Sequence, residues 1–201
     1  MHYPLSQGKI TYMKNIRVDL GNNSYEIRVG SGILAQAGGW LKEKRFSGKA
    51  VIITDSNVNG LYAGILENSL VKAGFSVTVL EVPAGEAQKT LETAGLLYHR
   101  LAEAFAERST LILALGGGVI GDLAGFVAAT YMRGVPYVQV PTSLLAMTDS
   151  SIGGKTAVDL GQVKNVVGAF YQPKMVIADI DTLKTLPEVE LSNGMAEVIK
   201  M

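Results

Sequence analysis

The sequence predicts an α/β fold: a mostly parallel sheet with helices on both faces, preceded by an N-terminal β-hairpin. Three observations carry that prediction. Short, continuous apolar runs rich in β-branched residues recur along the chain, as in strands buried on both faces. Stretches with apolar residues at three- and four-residue steps lie between them, as on helices that bury one face. The two patterns alternate, which points to strand–helix–strand units and parallel pairing.

The elements follow in order. Ile16-Arg17-Val18-Asp19-Leu20 and Tyr25-Glu26-Ile27-Arg28-Val29 alternate apolar and polar around Gly21-Asn22-Asn23, a hairpin with one wet face. Lys49-Ala50-Val51-Ile52-Ile53-Thr54 is the first buried strand, and Leu61, Ile65, Leu66 and Leu70 mark the helix after it. Ser76-Val77-Thr78-Val79-Leu80-Glu81-Val82 is the second strand, followed by a helix carrying Leu91, Leu96, Leu97, Leu101 and Phe105. Thr110-Leu111-Ile112-Leu113-Ala114-Leu115 is the third, and it runs into a glycine-rich turn that opens a helix. Pro136-Tyr137-Val138-Gln139-Val140 is the fourth. From 141 to 185 the periodicity weakens around Gly153, Gly154, Gly161 and Gly168. Loops and a small hairpin are predicted there, before a last short strand, Met175-Val176-Ile177-Ala178. Loops that close on ligands are locally unstable, so residues 149–168 are expected to be disordered. The final segment reads as a helix with Pro187 at its first position. No capping residue or glycine ends it before Met201, so the chain is expected to stop in mid-helix.

Composition narrows the function. The 201 residues include 18 basic and 18 acidic side chains, two histidines and no cysteine. With 48% hydrophobic and 18% charged residues the chain can bury enough surface to offset its ordering entropy, which excludes disorder as a whole. Without cysteine there is no disulfide framework, thiolate metal site or thiol nucleophile. Zero net charge gives no global pull toward nucleic acid or an anionic membrane. No stretch reaches the roughly 18 apolar residues of a membrane span; the longest candidate, 119–132, is broken by Asp122. A secretory leader pattern is missing, so a cytoplasmic location is expected. Met13 reads as a native start, and residues 1–12 as a leader. There are 23 glycines, above the usual 7% or so, which marks tight turns or close approach of backbone to a ligand.

Ligand sites in such sheets lie beyond the C-terminal strand ends, so each motif is judged by whether it follows a strand. Gly116, Gly118 and Gly121 satisfy G-x-G-x-x-G between a strand and a helix, where bare backbone can approach a pyrophosphate at the helix N-terminus. The acidic partner expected about 20 residues on is missing, since the next strand ends Val140-Pro141-Thr142. A plain tight turn explains the motif equally well. Asp55 and Asn57 follow the first strand, suited to ribose hydroxyls or simply to capping a helix. Glu86 and Lys89 follow the second, near a helix start. Gly153-Gly154-Lys155-Thr156 resembles a phosphate loop, but Asp149 stands where that motif requires glycine, so a triphosphatase is rejected. Asp149, Lys155, Lys164 and Asn165 cluster in sequence; they are functional candidates or scattered surface charge. On the last helix Glu190, Asn193, Glu197 and Lys200 share one face, most simply the solvated one. The only histidines are His2, in the expected leader, and His99, inside a predicted helix, and no convincing metal site is read from the chain. No G-x-S-x-G elbow supports a hydrolase.

Together these residues resemble the 3-dehydroquinate synthase family. The resemblance rests on residues 116–125 (GGGVIGDLAG), Tyr131-Met132-Arg133-Gly134, Val140-Pro141-Thr142-Ser143, Asp149-Ser150-Ser151-Ile152-Gly153-Gly154-Lys155-Thr156, Lys164-Asn165 and Asn193-Gly194-Met195-Ala196-Glu197-Val198-Ile199-Lys200. Residues 83–89 and 55–57 match earlier motifs. It covers nearly all of the chain from about residue 14. It implies a Rossmann-like NAD-binding domain over 13–185, with 186–201 the first helix of a helical second domain that is otherwise missing. NAD would be held by Asp55, Asn57, Glu86, Lys89, Gly116, Gly117, Gly118, Val119, Asp122, Thr142, Ser143, Lys155, Lys164 and Thr185. Asp149, Lys155, Lys164, Asn165, Glu190 and Lys200 would contribute to the pocket for DAHP, a seven-carbon sugar acid phosphate. Arg133 would reach the substrate phosphate of the partner in a homodimer. Glu197 would be one ligand of a divalent metal, Zn2+ or Co2+, with two histidines supplied by the second domain. The implied reaction is an alcohol oxidation by NAD, phosphate elimination, re-reduction, ring opening and aldol closure to 3-dehydroquinate. The chain alone is expected to be inactive. Two alternatives remain: another sugar phosphate cyclase, such as 2-deoxy-scyllo-inosose synthase, or a stand-alone dinucleotide-binding module.

Overall fold

The structure is a computed structural model, and it describes residues 13–200. The expected leader, 1–12, and Met201 lie outside the described residues. The strands are β1 (Met13–Val18), β2 (Tyr25–Gly30), β3 (Lys49–Asp55), β4 (Ser76–Val82), β5 (Leu111–Gly116), β6 (Tyr137–Pro141), β7 (Lys155–Leu160), β8 (Val163–Phe170) and β9 (Met175–Asp179). The α-helices are α1 (Ala37–Glu43), α2 (Gly64–Lys72), α3 (Leu91–Glu103), α4 (Gly118–Thr130) and α5 (Glu188–Lys200).

Seven strands form one sheet in the order β1-β2-β9-β6-β5-β3-β4. All its pairings are parallel except the β1–β2 hairpin, where Met13 faces Gly30 and Val18 faces Tyr25. The five strands from β4 to β9 in that order, counted from β3, follow the doubly wound order 2-1-3-4-5. The chain leaves β3 outward to β4 and returns on the other side to β5. The switch point therefore lies between the ends of β3 and β5, where a crevice opens for a ligand.

Strand period two sorts the core into two layers. Val51, Ile53, Ile112, Ala114 and Tyr137 point to one face and pack with α3 and α4. Ala50, Ile52, Leu111, Leu113, Leu115, Val138 and Val140 point to the other and pack with α1 and α2. Most of these side chains are fully buried, each stabilising the fold by about 1.5–3 kcal/mol before entropy is counted.

The structure corrects several expectations. Helix α1 went unread because Gly38 and Gly39 dilute its apolar pattern; Gly38 is needed because a Cβ there would strike the Ser69 carbonyl of α2. The edge strand β4 is only half-buried, and β1 is exposed nearly throughout instead of having one dry face. Residues 146–150 form a helical turn, not a loop. The expected disorder at 149–168 is replaced by a β7–β8 ribbon laid against α4. Helix α5 starts one residue later than expected, just after Pro187. It seats Gly194 against Leu144 and Leu145, where a Cβ would lie 2.6 Å from the Leu144 Cβ and 2.7 Å from the Leu145 nitrogen.

Candidate functional site

Parallel strands deliver Asp55, Gly116 and Thr142 to one edge of the sheet, at the ends of β3, β5 and β6. At the switch point, Gly117 is the N-cap of α4, in an extended conformation and with no side chain capping the helix. The first amides of α4 thus have no intrahelical acceptor and face outward with the positive end of the helix dipole. The glycines there divide the labour. Gly116, Gly121 and Gly125 are packing glycines, whose Cβ would press on Ile120, Gln139 and Thr156. At Gly117 and Gly118 the nearest atoms to a Cβ are the Ser143 Oγ at 3.4 Å and the Ser150 Oγ at 3.1 Å, both side chains of the site itself. The Ser150 hydroxyl is buried and has no hydrogen-bond partner. An orphan hydroxyl beside an uncapped helix N-terminus fits a phosphate-bearing ligand. Ser150 joins the candidate site beyond the residues expected from sequence, since an unpartnered hydroxyl shows only in the folded structure.

A cleft of about 590 Å³ opens beside this turn, between α4 and the β7–β8 ribbon. Asp122, Asp149, Ser150, Lys155 and Asn165 line it. Behind its wall, the ammonium of Lys89 donates to Asp122 Oδ2 at 2.5 Å and to Asn165 Oδ1. Lys89 is 5% exposed, although lysine is rarely buried unless paired. Burial raises the Asp122 carboxyl above its ordinary range; Lys89 opposes the rise, while Glu86 and Asp149 add to it. Lys164 pairs with Glu86 at 3.3 Å, both well exposed.

The other expected residues are placed as follows. Asp55 Oδ1 accepts from the amides of Asn57 and Val58, so it caps its own turn at the switch point. No acid follows β6, but Asp55 ends β3, the other strand that flanks β5. Thr142 is buried and donates its amide to Gly116 O at 2.9 Å; Ser143 Oγ accepts from Ala146 N. The Thr185 hydroxyl meets the Tyr62 hydroxyl at 2.5 Å. On α5, Lys200 pairs with Glu197 at 2.9 Å. That pair, and more weakly Asp149, raise the Lys200 ammonium, and α5 packs on the 146–150 turn that carries Asp149. Glu190 is exposed and does not line the cleft. Neither does Arg133, which lies past the far end of α4, a 13-residue helix about 20 Å long. Met132 and Arg133 adopt left-handed φ of 49° and 66°, unusual for such side chains. Among the described residues no three His, Cys, Asp or Glu side chains gather as metal ligands.

The fold and this site define a doubly wound α/β domain with an anion-receptive helix N-terminus at its switch point, beside a cleft lined by Asp122, Asp149, Ser150, Lys155 and Asn165. A family profile described as 3-dehydroquinate synthase N-terminal matches residues 79–193, and the chain belongs to that family. It is 55% identical over 188 residues to the 3-dehydroquinate synthase of Desulforamulus reducens, covering 94% of this chain and 52% of that protein. It is 53% identical to that of Dehalococcoides mccartyi, with the same coverage. The chain thus spans about half the length of the curated relatives it matches. Among solved structures, 2-deoxy-scyllo-inosose synthase complexed with carbaglucose-6-phosphate, NAD+ and Co2+ superposes with a TM-score of 0.86 at 31% identity, over 93% of this chain and 50% of that one. The 2-epi-5-epi-valiolone synthase of Streptomyces hygroscopicus, with NAD+ and Zn2+ bound, gives 0.80 at 31%, over 91% and 50%. The butanol dehydrogenase of Thermotoga maritima, at 18% identity and a TM-score of 0.70, shares the fold.

Proposed function

We propose that this chain is the cofactor-binding part of a 3-dehydroquinate synthase acting on DAHP. The observation that carries the reading is the cleft, where Asp122, Asp149, Lys155 and Asn165 converge beside the open α4 N-terminus and the orphan Ser150 hydroxyl. The amides of Gly118 and Val119, with Ser150, would hold the pyrophosphate of NAD, and Asp55 and Asn57 the ribose side. Glu86, Lys89, Asp122, Thr142, Ser143 and Thr185 would complete that site. When bound, NAD would accept and return a hydride within one turnover. Lys155, Lys164 and Lys200 would draw and orient the anionic substrate, with Asp149, Asn165 and Glu190 as polar partners. In this reading Arg133 serves the neighbouring subunit of a homodimer, consistent with its distance from its own cleft. Glu197 would be a single metal ligand toward Zn2+ or Co2+, and the remaining ligands must come from residues other than those described. Residues 13–185 would form the cofactor domain, and 186–201 would open the next one. Cytoplasmic location belongs to the same reading; the structure adds that no described helix is long and apolar enough to cross a membrane.

Calorimetric titration of NAD into this chain tests the reading, repeated with Gly117→Val and Asp122→Asn. Saturable binding is expected, lost with Gly117→Val because the added side chain fills the backbone approach, and weakened with Asp122→Asn. Equal binding by both variants would sink it. A second reading, a cyclase acting on another sugar phosphate, is favoured by the 2-deoxy-scyllo-inosose synthase superposition. Product analysis of a full-length relative carrying this sequence, with DAHP against hexose phosphates, separates the two.

A further inference from the structure

The β7–β8 ribbon is irregular at one place. Val158 pairs with Val167 and Leu160 with Val163, so the single residue Asp159 on β7 faces three residues, 164–166, on β8. Such a bulge leaves ladder groups unpaired, and bulges occur where a side chain must be re-aimed beside a site. This bulge carries Lys164 and Asn165. Asn165 sits in the left-handed region at φ 56°, which asparagine tolerates better than most residues.

Asp159 compensates for the irregularity. Its Oδ1 accepts the Asn165 amide at 2.7 Å, and its own amide donates to the Lys89 carbonyl at 2.7 Å. The Asn165 side chain in turn accepts from the Lys89 ammonium, which also holds Asp122. A closed ring results: Lys89 main chain, Asp159, Asn165, Lys89 side chain. Lys89 is held at both ends: at its carbonyl directly by Asp159, and at its ammonium by Asp122 and by Asn165, whose amide Asp159 holds. Asp159 also makes an isolated parallel bridge with Thr90, at the start of α3. It is not among the residues that line the cleft.

We propose that Asp159 is a positioning residue: it fixes the Lys164-Asn165 bulge and the Lys89 ammonium in the geometry that the cofactor cleft requires, without touching the ligand. The functional part rests on the NAD reading above. The geometric part does not.

The test uses this chain and two readouts. The first is the backbone amide of Asn165 by NMR in the absence of ligand. A hydrogen bond to a carboxylate moves that proton downfield, which is the position expected in the unsubstituted chain. Asp159→Ala abolishes the downfield position, whereas Asp159→Asn, which keeps an oxygen acceptor, retains most of it. The second readout is NAD affinity. Asp159→Ala is expected to weaken it about tenfold or more, the scale of a lost charged hydrogen bond, with Asp159→Asn recovering most of the loss. A purely structural role predicts no such recovery pattern at equal melting temperature. An Asn165 amide at an ordinary shift overturns the proposal without any variant. So does unchanged NAD affinity in Asp159→Ala. If the unsubstituted chain binds no NAD, the cofactor reading fails, and the NMR result alone decides whether Asp159 positions Asn165.

Discussion

The Lys89–Asp122 pair gives a sharp test of how this site is held together. The side chains are 6% and 18% exposed, so solvent barely screens them. Asp122→Ala leaves a buried ammonium with only the Asn165 oxygen, and breaking a buried pair from one side costs about 3–5 kcal/mol. In a chain of this size each kcal/mol moves the melting temperature by about 2–4 °C, so a drop of roughly 6–20 °C is expected. Lys89→Met should cost less, about 1–3 kcal/mol, because Asp122 is nearer solvent and can take up a proton. The sign follows from the folded state: burial raises the Asp122 carboxyl above its ordinary 3.8, so the fold binds that proton more tightly than the unfolded chain. Stability therefore falls as pH rises through the folded value and is regained below it. Lys89→Met removes the opposing cation and should recover stability as the pH is lowered from neutrality. The double variant Lys89→Met/Asp122→Leu replaces the pair by apolar groups and should lie within about 1–2 kcal/mol of the parent. Thermal and urea unfolding of all four chains closes the cycle. Equal, mild losses of under about 1 kcal/mol for both single variants, or a double variant as poor as their sum, would refute the reasoning.

Two further outcomes are expected. At Glu26, partial burial opposes ionisation but Lys44 and Arg28 outweigh it, so the carboxyl lies below its ordinary 4.5. Its contribution is complete above that value and is lost as pH falls through the folded value; Glu26→Gln should cost about 1 kcal/mol or less near neutrality, and the difference should vanish in acid melts. Gly194→Ala should push α5 off the 144–150 segment, since backbone at Leu145 cannot yield cheaply. Faster amide exchange confined to α5, with the sheet unchanged, would show it.

Much of the fold was legible because buried parallel strands leave uninterrupted apolar runs. β3, β5, β6 and β9 were read within a residue or so of where they lie, and α2, α3 and α4 from their spacing or the glycine turn. Helix α1 was not legible: its two glycines serve packing against α2, a tertiary reason that erases the local pattern. In the site, Asp122, Asp149, Lys155 and Asn165 were named from sequence and do converge. Ser150 and Asp159 were passed over, because an orphan hydroxyl and a bulge-facing carboxylate mean something only once neighbours distant in sequence are in place.

The sequence by itself determined the α/β class, the strand and helix alternation and the glycine turn after β5, since these rest on period and on residues adjacent in the chain. Only the tertiary structure decided the strand order, and with it the switch point that sets Asp55 beside Gly116. It alone buried Lys89 between Asp122 and Asn165, 33 and 76 residues away. Contacts of that separation are chosen by which faces must be covered and which buried charges must be paired, and neither condition is written in any local stretch of chain.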